Sequence, residues 1–184
     1  EGIEIHPKLQ PFVRKRAEEL SRRAIRRGSG AAWIGLGWLT DSDVAQLAVL
    51  GHELYNGTSG VGLFFAAHAM TTQCGSSAEL ALAAVSHLRA ELRSRNASHT
   101  ARLLGLGGAT GMGSIIYALT AMSRLLRDDE LLADAYHAAA LLNDDLIAAD
   151  SRLDAIGGSA GAILCLLRLY ADTQADDVLQ RALR

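Results

Sequence analysis

The side chains able to do chemistry are two cysteines, six histidines and a set of hydroxyl-flanked glycines. Cys74 and Cys165 stand far apart, with no second cysteine near either. That is neither a disulfide framework nor the paired spacing of a zinc knuckle, and it fits a reducing, cytoplasmic setting. Cys165 falls in an apolar run where a lone cysteine ordinarily packs as a small core residue, although it could face a cavity. Cys74 lies beside a turn without a cluster of cations, so no reactive thiol is expected there. His52, just ahead of the first glycine motif, could hold a substrate or move a proton. His68, His87 and His137 fall in helical stretches without an assigned second ligand at i+3 or i+4, so none is expected to hold zinc. His6 and His99 read as exposed.

The glycines repeat. Gly57-Thr-Ser-Gly60, Gly108-Ala-Thr-Gly111 and Gly158-Ser-Ala-Gly161 each pair two glycines three apart, with small or hydroxyl residues between them and an apolar stretch following. The second glycines are spaced by 51 and 50 residues, a period that signals a repeat architecture. Equivalent helices starting at these motifs would bring their N-termini to one end of the assembly. Free N–H groups and converging partial positive charge there suit an anion or a thiolate. Close packing of crowded helix ends requires nothing beyond the missing Cβ, and is the favoured reading of each glycine taken singly.

These motifs need helices to position them. Residues 61–72, 112–127 and 162–171 are nearly all apolar, and Met112, Ile115, Ile116, Leu119, Met122 and Leu126 follow helical spacing. Residues 77–95, 130–149 and 174–184 are amphipathic and more polar. Each unit therefore reads as an inner helix buried on most sides and an outer helix with one solvated face. Thr58, Ser59, Thr110 and Ser159 are expected to cap the inner helices, and the Gly75-Ser-Ser and Asp128-Asp129 turns the outer ones.

Ahead of the repeats, residues 1–30 carry eight Lys/Arg against four Glu, so the rest of the chain holds a net −6 out of −2 overall. Leu9, Val13, Ala17, Leu20 and Ala24 recur at helical spacing, which makes the arginines the solvated face of a lead-in helix. Without interleaved aromatics, nucleic acid is not an expected partner. Residues 31–39 and 44–50 are apolar runs around Thr40-Asp-Ser-Asp43, the pattern of a β-hairpin.

Composition agrees. Of 184 residues, 49% are apolar, 21% charged and 5% aromatic, and the only prolines are Pro7 and Pro11. Those values exclude a disordered chain and favour an all-α fold. No signal peptide or membrane-length apolar run is legible. The residue at position 1 is Glu rather than an initiator Met, which suggests an excised or processed piece.

Trp33-Ile-Gly-Leu, the hairpin, and Leu54-Tyr-Asn-Gly-Thr-Ser-Gly-Val-Gly-Leu-Phe-Phe-Ala together resemble the start of the LanC-like cyclase domain of class II lanthipeptide synthetases. Asn56 stands where that family usually has Asp. Leu153-Asp-Ala-Ile-Gly-Gly-Ser-Ala-Gly-Ala-Ile-Leu is similar to a later family segment of pattern D-x-I-x-G-x-x-G. The resemblance implies a seven-hairpin α/α toroid, of which this chain would be the N-terminal part: a lead-in helix in 1–30, a β-hairpin in 31–50, and hairpin repeats in 51–100, 101–150 and 151–184, the last incomplete.

It further implies an enzyme that adds cysteine thiols of a precursor peptide to dehydroalanine or dehydrobutyrine, closing thioether rings in lanthipeptide (antibiotic) biosynthesis in bacteria. The implied cofactor is Zn2+, whose effect is to lower a thiol's pKa. The family's cysteine and Cys-His ligands do not occur in this chain, so the chain alone is expected to be inactive. Asp154 matches the family's active-site aspartate, although an acid there would also be favoured by the dipole of the following helix. His52, Tyr55, Gly108 and Gly158 are the candidate peptide-contacting residues. Two other readings remain at this stage. One is an α/α-toroid carbohydrase, which would need paired carboxylates and an aromatic floor. The other is a non-enzymatic helical-repeat module that grips a peptide. An incomplete toroid would also leave apolar surface on its last repeat, so self-association is expected.

Overall fold

The computed structural model describes residues 6–38 and 43–184. Nine helices and two small antiparallel hairpins lie among them. The lead-in helix α1 (Gln10–Arg23) carries Pro11 in its first turn, where the fixed φ is suited. It presses Ala17 inward while its arginines and Lys15 stay in solvent, and Glu19 pairs with Arg16 and Arg23, each at 2.7 Å. The solvated-face reading of the basic segment holds, although Leu9 is 56% exposed and does not join the apolar stripe.

A short hairpin, β1 (Ile25–Arg27) with β2 (Gly30–Ala32), precedes the expected one and was not legible in the sequence. Gly28 makes its turn with φ +57°. The expected hairpin follows as β3 (Ile34–Trp38) and β4 (Ala45–Val49), in register from Ile34↔Val49 to Trp38↔Ala45. Most of its polar turn, residues 40–42, lies outside the described residues. Trp33 is buried against the helices, with its indole N–H donating to the Leu20 carbonyl at 2.8 Å.

The remainder is a two-layer array of helical hairpins. The inner layer is α2 (Thr58–Thr72), α5 (Met112–Leu126) and α8 (Ser159–Thr173), packed side by side in that order. The outer layer is α3 (Gly75–Leu92), α6 (Asp129–Ala140) and α9 (Asp176–Ala182). The middle inner helix, α5, has neighbours on both sides and is the most completely buried. Met112, Ile115, Ile116, Leu119 and Met122 have no exposed surface. The apolar periodicity read from sequence is this core.

Each inner helix has 15 residues, and each is followed by a residue in the left-handed region: Gln73 (φ 56°), Arg127 (φ 55°) and Gln174 (φ 52°). The outer layer is less regular. A separate helix α4 (Ala97–Leu104) follows α3, and the predicted 130–149 helix breaks after α6 into α7 (Asp144–Ala148), which Asn143 caps. Asp128 caps α6 as expected, accepting from the amides of Glu130 and Leu131.

Candidate functional site at the inner-helix rim

The three inner helices start alike. Their N-caps are Gly57, Gly111 and Gly158, with φ/ψ of −125/−178°, −127/−163° and −122/−173°. The repeat is thus aligned differently from the sequence pattern. Gly111 is the counterpart of Gly57, not of Gly60, and the spacings between N-caps are 54 and 47 residues. Ser114 stands where the other two helices have Gly60 and Gly161, and its hydroxyl donates to the Gly111 carbonyl at 2.6 Å. The same backbone device supports this alignment: the Thr58 amide donates to the Gly51 carbonyl, and the Met112 amide to the Gly105 carbonyl, both at 2.8 Å.

The loops leading into these helices join into a ladder. The Tyr55 amide donates to the Ala109 carbonyl at 3.0 Å, and the Ala109 amide donates to the Ile156 carbonyl at 3.0 Å. A Cβ on Gly161 would lie 2.4 Å from the Gly108 nitrogen and 2.1 Å from the Ala155 carbonyl oxygen, so backbone meets backbone here. The inner-helix N-termini therefore gather along one rim, as the repeat predicted.

The expected hydroxyl caps are not used. The N-cap residues of the three inner helices, all glycines, supply no side-chain hydrogen bond. Ser59 donates to the His52 carbonyl, and Thr110 donates to the Ile156 carbonyl at 3.3 Å. Two of the hydroxyls thus bond adjoining loop carbonyls instead, and Thr58 Oγ1 is buried without a partner. On α8 the work falls to Asp150, which sequence reasoning missed. Its Oδ2 accepts from the Ser159 amide at 2.7 Å and from the Leu153 amide at 3.3 Å. Desolvation raises the Asp150 carboxyl, but these amides, with Ser159 foremost, bring it below the ordinary range.

Asp154 is exposed, and its Oδ1 accepts from the amides of Ile156 (2.6 Å) and Gly157 (2.8 Å). It shapes the loop into α8 on the rim. Tyr55 is 80% exposed beside the second loop. Gly108 and Gly158 leave no room for a side chain: a Cβ would lie 2.8 Å from Gly161 Cα in the first case and 2.5 Å from the Asp154 nitrogen in the second. These four candidates fall on adjoining rim loops.

His52 does not join them through its side chain. The ring turns to the outer helix α3, where Nε2 lies 2.9 Å from Glu91 Oε2 and the ring stacks on His87 at 5.5 Å between centroids. His52, His87 and Glu91 each offer a donor atom, all within 4.8 Å of one another. The expectation that His87 lacks a second ligand at helical spacing is corrected: Glu91 stands four residues on. The other histidines are occupied as ordinary structural groups. His68 Nδ1 meets the Ser77 hydroxyl at 2.9 Å, and burial lowers its pKa. The His137 ring N–H donates to the Leu92 carbonyl at 2.9 Å.

The thiols also sort themselves. Burial pushes Cys165 up to about 11, and its Sγ lies 4.0 Å from the Gly108 carbonyl. Cys74 is the N-cap residue of α3 and opens on a cavity of about 890 Å³ between α1, α2 and α3. The Ser76 hydroxyl, then that of Ser77, bring its thiol down to about 7.

The zinc implied by the resemblance does not fit the described rim. Its one thiol is buried and held protonated, and the metal-type donor group among the described residues is on the outer side, at α3. Among the described residues, no helix is long and apolar enough to cross a membrane. A family model described as lanthionine synthetase C-like protein matches residues 48–184, the stretch from the end of β4 through all three hairpins. No curated protein matches the chain. Members of the matched family generally bind zinc and act on peptides. Matched through every inner helix and every rim loop, the chain belongs to the lanthionine synthetase C-like family.

Proposed function

We propose that the chain supplies the first hairpins of a class II lanthionine cyclase, arranged as part of an α/α toroid, with repeats at 51–100, 101–150 and 151–184. The observation that carries this reading is the rim: three inner-helix N-termini joined loop to loop within the family match. In the reaction a peptide cysteine thiol gives up its proton, and its sulfur bonds to the β-carbon of a dehydroalanine or dehydrobutyrine. The double-bond electrons move to the α-carbon, which then takes up a proton, so the ring closes without change of mass. Converging helix N-termini favour the anionic charge that develops along this path. Asp154, held by two backbone amides with its carboxylate at the rim, orients the reacting groups. Tyr55 and the tight turns at Gly108 and Gly158 line the approach of the peptide. The catalytic zinc belongs to hairpins other than these three, and the 184-residue chain by itself closes no ring.

The test is ring formation on a model peptide holding one dehydroalanine and one cysteine. A longer polypeptide that carries this chain and completes the toroid converts the peptide to a form that no longer takes up a thiol reagent. Asp154→Asn slows that conversion about 100-fold. Retention of the peptide without any ring closure would replace the enzyme with a peptide-binding module.

A further inference from the structure

His52, His87 and Glu91 form the densest group of metal-type donors among the described residues, and the rim chemistry makes no use of their side chains. We propose that they constitute a divalent-metal site of the zinc class. It is separate from the thiolate centre that the family resemblance implies, and it does not depend on the cyclase reading.

The donor set comes first. Two imidazoles and one carboxylate suit zinc and its borderline neighbours, cobalt and nickel, far better than magnesium or calcium. Three protein ligands leave a further position to water.

The geometry is largely in place. His87 and Glu91 are four residues apart on the 18-residue helix α3, so they project from one face of a rigid element. His52 reaches them from the segment ahead of α2, and its backbone is fixed there by the Ser59 hydroxyl. Thr100, on α4, donates to Glu91 Oε1 at 2.7 Å, which turns Oε2 toward His52. Such an outer hydrogen bond is what commonly orients a ligating carboxylate. Ligand atoms around a tetrahedral zinc stand about 3.3 Å apart, given bonds of about 2.0–2.1 Å. The His52–Glu91 separation of 2.9 Å is already close to that, and only the exposed His87 ring has to close in.

Hydrogen bonding alone leaves the group incomplete. His52 Nδ1 is buried without a partner, and His87 makes no hydrogen bond among the described residues, only the stack on His52. The His87 imidazole is thus the donor left to turn toward the His52 Nε2–Glu91 Oε2 pair and complete the three-donor set. Coordination would fasten the segment that carries Tyr55 to the outer helix.

The test is titration of the metal-stripped 184-residue chain with Zn2+ by calorimetry, and with Co2+ followed in the visible spectrum. One ion binds per chain, and the cobalt spectrum lacks a thiolate charge-transfer band. His87→Gln and Glu91→Gln each weaken zinc binding by at least about tenfold. Cys74→Ser and Cys165→Ala leave it unchanged. His87 is exposed, so its variant keeps the fold, which circular dichroism verifies. No saturable binding, binding indifferent to both α3 substitutions, or binding lost with Cys74 would each overturn the site. None of those results bears on ring formation, which the cyclase reading assigns to other residues.

Discussion

Arg93, just past the end of α3, donates from Nε to Oδ1 of Asp134 on α6 at 2.8 Å, across the seam between two outer helices. Arg89 reaches the other oxygen of the same carboxylate and also Glu130 at 2.9 Å. Asp134 is 2% exposed, and two guanidiniums enclose its carboxylate. The two arginines are not equivalent: the Arg89 side chain is 17% exposed and that of Arg93 55%.

Asp134→Ala therefore leaves Arg89 largely buried without its main partner. The loss expected in urea unfolding is about 3–5 kcal/mol. Arg93→Ala removes a half-solvated partner and costs about 1 kcal/mol or less. Equal losses from the two substitutions would mean that the carboxylate is not desolvated as described.

Glycine on the rim and glycine at a helix start elsewhere should behave in opposite ways. A Cβ at Gly161 meets main-chain atoms of Ala155 and Gly108 that cannot move independently, so Gly161→Ala is expected to cost about 3 kcal/mol. Gly75 has nothing within 4 Å of its Cβ position, at the first residue of α3. Gly75→Ala should stabilise by about 0.5 kcal/mol through the entropy of the unfolded chain. Thermal denaturation of the pair separates close backbone packing from a general dislike of substitution.

Cys74 and Cys165 should differ sharply toward an alkylating reagent. The Cys74 thiol sits at about 7, so its labelling rate rises between pH 6 and 8 and then levels, as the thiolate fraction saturates. Cys165, at about 11, stays unlabelled over that range in the folded protein. Ser76→Ala removes the foremost hydrogen bond to the sulfur and moves the Cys74 midpoint upward. A midpoint near the ordinary thiol value in the unsubstituted protein would contradict the arrangement at the start of α3.

Much of this was legible in the sequence because glycine motifs and apolar runs report directly on crowded helix starts and buried faces. The hairpin, the three inner helices and α5 as the core follow from those signals. The second motif was misaligned by three residues because Ser114 occupies a position that is glycine in the other two units, while Gly108, a packing glycine, mimics the pattern. α4 went unseen because Asn96, Ser98 and Thr100 dilute its apolar stripe. Asp150 was missed because it acts nine residues ahead, on the Ser159 amide. Of the histidine group, His87 and Glu91 carried a readable i, i+4 signal, whereas His52 joins them only through the fold.

The last inner helix should make the chain associate with itself. Ile163, Leu164 and Leu167 on α8 are 40%, 63% and 41% exposed, and Leu153 and Ile156 extend the apolar surface into the preceding loop. Light scattering is expected to show a mass that rises with concentration. Leu164→Glu should return the monomer without loss of helicity. A monodisperse monomer at high concentration for the unsubstituted chain would remove the idea.

The equal inner helices set where this protein can change length. All three run 15 residues from a glycine cap to a left-handed residue, while the outer helices α3 and α6 run 18 and 12. One residue added inside an inner helix would turn everything beyond it by about 100° and swing its packing face off its neighbours. One residue added in the outer returns, at 93–96 or 141–143, is absorbed by chain that already differs from unit to unit. Insertions and tags are thus tolerated on the periphery and refused on the inside, and the unequal 54- and 47-residue spacings record that licence.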